Sequence, residues 1–271
     1  MQVNVHEKRN GFGEANGRRK PTSGVTVIKV GGAQLNMGSR LGDLVAYVED
    51  AMGLGQRVII VHGGGCEIAD LHHQLGVPFE QKSGLRTTSA ESIDIVTMVL
   101  AGLVNKRVVG QLQLVGIPAI GVSGIDLGLL RAECIDKDRL GYVGGVPDVN
   151  TGVLDKLLSL DAVPVVAPVS QDSNGQFLNV NADIAAQAVA VAMNAACLEF
   201  VTDVDGVKSP RGFEQRIDPD NLKRMLASKA ITGGMIPKAQ AAMAAVSAGV
   251  DRVRLGTYES LRNGNATEVY A

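Results

Sequence analysis

The sequence contains no tryptophan, and aromatic residues make up only 3% of it. A surface that reads single-stranded nucleic acid by base stacking is therefore not on offer. No apolar run reaches the ~20 residues a membrane-spanning helix requires. The longest, Ala188–Met193 and its neighbours, is interrupted by Gln187 and Asn194. Neither sign of charge dominates: the formal net charge is −2 and the pI about 6.1, so no global basic field attracts nucleic acid. Cysteine is scarce. Cys66, Cys134 and Cys197 are odd in number and dispersed, which excludes a disulfide framework and shows no zinc spacing. The four histidines include the pair His72-His73 but no HExxH helix. This thiol usage fits a reducing, cytoplasmic compartment.

What is present is a globular composition. The 271 residues are 45% hydrophobic and 20% charged, with 33 glycines, enough for a sizeable core in one or two domains. Residues 1–24 stand apart. They are polar and carry five basic residues (Lys8, Arg9, Arg18, Arg19, Lys20) against two acidic ones (Glu7, Glu14). With no apolar h-region and no helical stripe, they are expected to form a disordered tail, not a secretion signal. The folded body is expected from Val25 to the C-terminus.

From Val25 onward, short β-branched runs alternate with amphipathic segments. Strands are expected at Val25–Val30, Val58–His62, Ala119–Val122, Val163–Ala167, Leu198–Thr202 and Asp251–Leu255. Helices are expected at Leu41–Met52, Glu67–Leu75, Ala90–Leu103, Lys106–Val115, Val153–Leu160, Ala182–Met193, Asn221–Leu226 and Lys238–Ala248. Two Gly- and Pro-punctuated stretches, Gly76–Arg86 and Leu130–Gly145, suit β-hairpins. The alternation predicts an α/β fold: an open, mostly parallel sheet sandwiched by helices, in one domain of two lobes.

In such sheets ligands bind beyond the carboxyl ends of the strands. There the first strand ends in Lys29-Val30-Gly31-Gly32 and the second in His62 followed by Gly63-Gly64-Gly65. Two glycine turns expose backbone N–H groups without side chains to block a phosphate, although neither matches GxxxxGK[ST] or GxGxxG. Lys29 is either a snorkelling strand-end lysine or the partner of an anion. Lys238, at a helix start, opposes the macrodipole unless it faces negative charge. Asn179, Asn181 and Asp183 form a helix-capping cluster or a polar site. Arg86 could fork a carboxylate or form a surface ion pair. His62 reads as a structural turn histidine, Cys66 as a packing residue, and Asp203-Val204-Asp205 as a strand-end turn instead of a calcium loop.

In chain order, the motifs IKVGG (28–32), VHGGG (61–65), GLRTT (84–88), AGLVNK (101–106), GYVGGV (141–146), NVNAD (179–183), TDVDGV (202–207) and GGMIPK (233–238) resemble those of the amino acid kinase family. They are most similar to the branch that phosphorylates N-acetyl-L-glutamate in arginine biosynthesis. The resemblance implies that Lys29 and Lys238 stabilise the transferring phosphoryl group and that Asp183 holds them in orientation. It assigns Gly31, Gly32 and Gly63 with Gly64 and Gly65 to backbone contacts with the phosphates and the reacting carboxylate. Arg86, Asn179 and Asn181 fall at positions that bind the acyl-amino acid, Arg86 on its α-carboxylate. Asp203, Val204, Asp205, Gly206, Val207 and Lys208, with Ala230, Ile231 and Thr232, fall in nucleotide-site segments.

ATP and Mg²⁺ are then implied, the ion held chiefly by the phosphates with no protein metal ligands. A γ-carboxylate with a reference pKa of ~4.3 is already an ionised nucleophile, so no general base is needed. The acyl phosphate product needs shielding from water, and the hairpin Gly76–Arg86 is the expected lid. N-succinylglutamate or N-acetylaminoadipate stay open as substrates. A non-catalytic amino-acid-binding regulator is disfavoured because Lys29, Lys238 and Asp183 are all present.

Three departures stand out. Ile125, in Gly121-Val-Ser-Gly-Ile-Asp126, occupies a position where the family commonly has lysine, and Asn194–Cys197 is one residue longer than usual. The N-terminal tail also lacks the apolar helix that joins arginine-inhibited members into hexamers, and the chain stops at Ala271. The expected partner is therefore a second copy in a homodimer, without nucleic acid or membrane; a PII-type signalling protein is left open. Light scattering should give a dimer, and millimolar arginine should leave any kinase activity unchanged; a hexamer or inhibition would overturn this.

Overall fold

The computed structural model describes residues 24–35, 39–78, 81–82, 85–209 and 212–270. The expected tail, apart from Gly24, lies outside the described residues. Eight strands form the main sheet, in the order Arg216–Ile217, Thr267–Val269, Val253–Gly256, Cys197–Val201, Val25–Val30, Arg57–His62, Val163–Ala167 and Ala119–Ser123. Every neighbouring pair is parallel except Val253–Gly256 with Thr267–Val269.

The central strand Val25–Val30 is buried at every position. Its β-branched run suits a strand covered on both faces. Period-2 alternation sends Val25 and Val27 into one apolar cluster, with the helices Ala182–Ala192 and Met235–Ser247, and Ile28 and Val30 into another, with Ser39–Gly53 and Ala90–Thr97. The expected layered α/β architecture is therefore found.

Three features depart from the sequence reading. The hairpin expected at Leu130–Gly145 forms, Leu130–Cys134 pairing antiparallel with Val143–Val149, but it closes into a small sheet with Val169–Gln171 and Phe177–Val180. Local pattern cannot show this closure, because Val169–Gln171 is three residues long and follows the break at Pro168. Second, the helices expected on either side of residue 104 form one run, Ala90–Thr97 and Asn105–Leu114 joined by a π-helical segment, Met98–Val104. Third, a short helix, Tyr258–Asn263, capped by Thr257 and ended by Gly264 in the left-handed region, leads to the strand Thr267–Val269, second from the edge of the sheet. Neither is long enough to display a period. Within Gly76–Arg86, Gln81–Lys82 and Leu85–Arg86 do pair as an antiparallel hairpin.

Beneath the sheet lies a buried polar network. Glu199, on a central strand, accepts a 2.7 Å hydrogen bond from the Tyr47 hydroxyl and pairs with the Arg254 guanidinium, which also donates to the Leu261 carbonyl at 2.9 Å. These contacts tie the helix Ser39–Gly53 and the C-terminal helix to the sheet. Burial, reinforced by the Glu199 carboxylate, pushes the Cys197 thiol up to about 12, which leaves it an inert packing group. Glu199→Ala would leave Arg254 an uncompensated buried charge. Urea unfolding should show a loss of about 3–5 kcal/mol, and a loss well below that would refute the network's role.

Candidate active site

Parallel pairing sets Val30 beside His62, so the two glycine turns that follow lie side by side. The Gly63 N–H donates to the Val30 carbonyl at 2.9 Å. The approach tolerates no side chain: a Cβ on Gly32 would sit 2.6 Å from the Gly65 nitrogen, and one on Gly64 2.7 Å from Leu100 Cδ2. The helix Gly65–Leu75 starts in this turn, and Gly64 supplies no side-chain cap. Its first N–H groups have no helical carbonyl to bond, so this end offers donors to an anion.

Charge converges on the same place. Lys29 and Asp183 are each only 5% exposed, and Lys29 Nζ stands 2.8 Å from Asp183 Oδ1. This is an ion-pair contact without hydrogen-bond alignment. Lys238 Nζ lies 3.8 Å from Asp183 Oδ2 and donates to the Gly234 carbonyl at 3.2 Å. Two neighbouring ammonium groups thus share the carboxylate of Asp183. Burial and the nearby Lys29 pull the Lys238 pKa below its ordinary value, while the carboxylates of Asp183 and Asp203 oppose the shift. Asp183 is aimed by the helix cap: Asn181 Oδ1 accepts from the Asp183 and Ile184 N–H groups at 2.7 and 3.4 Å.

A cavity of about 290 Å³ opens between these groups. Lys29, Lys238, Asp183, Asn179 and Asn181 line it with Gly31, Gly32, Gly63, Gly64 and Gly65, all singled out from the sequence. Leu100, Val143, Pro168 and Pro237 are among the other wall residues and were not anticipated, since only the fold brings apolar residues from four separate segments together. Asn179 Nδ2 donates to Thr88 Oγ1 at 3.1 Å. Thr88 is itself fixed by 2.8 Å backbone bonds with Leu140 and Tyr142. Gly141 between them has φ +73, and a Cβ there would strike the Thr88 carbonyl. The end of GLRTT is thereby tied to GYVGGV. Arg86 is in the paired strand Leu85–Arg86, and the role expected of its side chain lies outside the described residues.

The expected nucleotide segments lie apart from that cavity. Asp203 and Asp205 line a second one, of about 510 Å³, with Gln34, Thr257 and Tyr258. Val204 is exposed, whereas Gly206 packs directly against Thr267, whose Oγ1 accepts the Val207 N–H at 2.8 Å. Val207 and Ile231 are core residues; Lys208, Ala230 and Thr232 are exposed. Ile125, where lysine was expected, packs partly buried against an apolar cluster, and Asn194 takes a left-handed turn at φ +45 in the lengthened loop.

His62 is fully buried between the turns and the π-helical segment. Its Nδ1 lies 3.0 Å from the Gly63 carbonyl and its Nε2 3.2 Å from Asn105 Nδ2. A carbonyl only accepts, so Nδ1 carries the proton and Nε2 accepts from Asn105. Burial lowers its pKa to about 4, and the Lys106 ammonium acts in the same direction. The imidazole is neutral at pH 7 and has no free basic nitrogen. It is not a general base.

The amino acid kinase family model matches residues 24–257. An acetylglutamate kinase of Geobacillus kaustophilus is 44% identical over 229 residues, 84% of this chain and 88% of that protein. One of Methanopyrus kandleri is 42% identical over 253 residues, 90% and 99% respectively. The crystal structure of smu.665 from Streptococcus mutans superposes with a TM-score of 0.83 at 32% identity, covering 92% of this chain and all of that one. The chain belongs to the amino acid kinase family.

The donor set suits that membership. The described side chains and N–H groups lining the cavity are mainly ammonium and backbone donors, and Asp183 is engaged by both lysines. Such a set receives phosphate oxygens, not a bare cation.

His62 also makes the fold acid-sensitive. Its folded pKa is about 4 against ~6.5 unfolded, so the unfolded chain binds the extra proton in between. Its contribution is complete above pH ~6.5 and is lost as pH falls towards 4, on the order of 3 kcal/mol in all. Urea midpoints measured across this window should fall less steeply with acid in His62→Gln than in the parent chain. Equal slopes would show that His62 is not the titrating group.

Proposed function

We propose that the chain is an N-acetyl-L-glutamate kinase, which moves the γ-phosphoryl group of ATP to the substrate's γ-carboxylate, the second step of arginine biosynthesis. The observation that carries this reading is a single buried carboxylate between two lysines, set over two glycine turns. The acetylglutamate kinases that are 42–44% identical to it over the aligned residues support the choice of substrate.

The substrate carboxylate is ionised at neutral pH and attacks the γ-phosphorus in line. The carboxylate O–P bond forms as the bond to the β-phosphate oxygen breaks, giving acyl phosphate and ADP. No proton moves. The chain's task is alignment and charge neutralisation. Lys29 and Lys238 reach the transferring oxygens, and Asp183, in contact with both, holds the two ammonium groups in place. The glycine N–H groups cradle phosphate oxygens, with Asn179 and Arg86 on the acyl-amino acid. Mg²⁺, carried on the ATP phosphates, would neutralise part of their charge.

In this reading the lobe of residues 25–175 takes the acyl-amino acid and 176–271 the nucleotide through Asp203–Lys208 and Ala230–Thr232. The hairpin within Gly76–Arg86 closes over the acyl phosphate. The working form is a cytoplasmic homodimer. Among the described residues no helix is long and apolar enough to cross a membrane.

ADP release from Mg-ATP should be measured with N-acetylglutamate, N-succinylglutamate, N-acetylaminoadipate and glutamate in parallel. Turnover should be confined to N-acetylglutamate, and Lys238→Ala should lower kcat by about 10²–10³, the usual effect of losing one transition-state donor. Preference for another acyl-amino acid would move the substrate assignment. Absence of turnover with all four would overturn the kinase reading.

A further inference from the structure

We propose that His62, clamped by Asn105, is a positioning residue that fixes the Gly63–Gly64 peptide so that its N–H is presented to the phosphoryl group. The proposal rests on the kinase reading above and adds to it a part of the chain that has no contact with substrate. It stands on a hydrogen-bond relay whose polarity is determined at every link. Lys106 Nζ, which can only donate, lies 3.0 Å from Asn105 Oδ1 and also donates to the Gly121 carbonyl. Asn105 Nδ2 donates to the Val165 carbonyl at 2.8 Å, which fixes the amide's orientation. Its other N–H is shared between His62 Nε2 at 3.2 Å and the more distant Val122 carbonyl at 3.4 Å, and His62 Nδ1–H meets the Gly63 carbonyl. Reversing the amide or the imidazole tautomer would place donor against donor or acceptor against acceptor inside the core.

The end of the relay is a peptide that needs restraint. Three consecutive glycines have more backbone freedom than any other sequence. In a trans peptide the carbonyl and the following N–H point in opposite directions. Holding the Gly63 carbonyl against the imidazole therefore turns the Gly64 N–H away from it. The other turn flank is already set, since the Gly63 N–H is bonded to the Val30 carbonyl.

The π-helical segment explains how Asn105 reaches His62. The Asn105 N–H bonds to the Leu100 carbonyl five residues back, so the turn contains one residue more than an α-helical turn. Each residue of an α-helix rotates the side chain by about 100°, so without the extra residue Asn105 would leave this direction. Asn105 is fully buried there.

Two substitutions separate the links. His62→Asn keeps an amide donor where Nδ1 stands and loses Asn105, whereas His62→Gln reaches Asn105 and loses the donor to Gly63. Steady-state kinetics with Mg-ATP and N-acetylglutamate should show kcat of His62→Gln lowered on the order of 10²-fold, the scale of a small misplacement at a reacting centre, with KM little changed. His62→Asn should regain most of that loss, although both variants melt at similar temperatures. Equal kcat in the two variants, or a loss confined to KM or to melting temperature, would overturn the proposal.

Imidazole ¹⁵N shifts of the unsubstituted chain at pH 7 give a readout that does not depend on variants folding. The Nδ1–H tautomer is expected; Nε2–H or imidazolium at His62 would overturn the proposal. If the unsubstituted chain shows no turnover, the kinase reading itself fails and this proposal fails with it. Turnover in that chain combined with equal variants removes the positioning role alone.

Discussion

A buried lysine and carboxylate, with a second lysine half-buried beside them, sit at the carboxyl ends of the sheet, and this arrangement constrains the surrounding structure. Desolvating charge costs several kcal/mol per ion unless partners are placed accurately. Lys29 is carried by the most buried strand, Asp183 by the first turn of a capped helix and Lys238 by the start of another, so all three come from rigid elements. Asp183 is shared by both lysines, with the carboxylate of Asp203 also acting on Lys238. An anion entering between the lysines would meet this excess of positive donors, as the proposed phosphoryl transfer requires.

The glycine turns answer the same demand by a different route. They bring main-chain donors to a phosphate where a side chain would collide with Leu100 or with the facing turn. Such a turn is precise only if something outside it removes the freedom that glycine confers. The neutral His62 and the amide of Asn105 supply that restraint from the core, and the Thr88–Gly141 junction does the same for Asn179. In the proposed kinase the positively charged donors would act on the ligand directly, while the buried neutral network acts on the backbone.

Much of this was legible in the sequence. Strand runs such as Val25–Val30 and the glycine turns after Lys29 and His62 carry their own local signals. The family motifs added roles for Asp183, Asn179 and Lys238 that their types alone left open, because an Asn-Asp cluster before a helix is also an ordinary cap. Three features had no such signal. The closed four-stranded sheet depends on Val169–Gln171 meeting the strand Leu130–Cys134, with Gln171 paired to Arg131 forty residues back, and the π-helical turn looks like ordinary helix in hydrophobic period. The Glu199–Arg254–Tyr47 network joins residues up to 207 positions apart, each unremarkable by itself.

The sequence by itself determined the layered α/β class, the strand ends at which a ligand binds, and the residue types able to neutralise a phosphoryl group. These follow from periodicity, from glycine's missing side chain and from the cost of burying charge, all of which act locally. Only the tertiary structure decided that one carboxylate stands between two lysines 209 positions apart, that His62 is neutral and bonded at both nitrogens, and that Asn105 faces it. Those outcomes depend on distances between segments remote in the chain, and electrostatic and hydrogen-bond energies are set by such distances, not by composition or spacing.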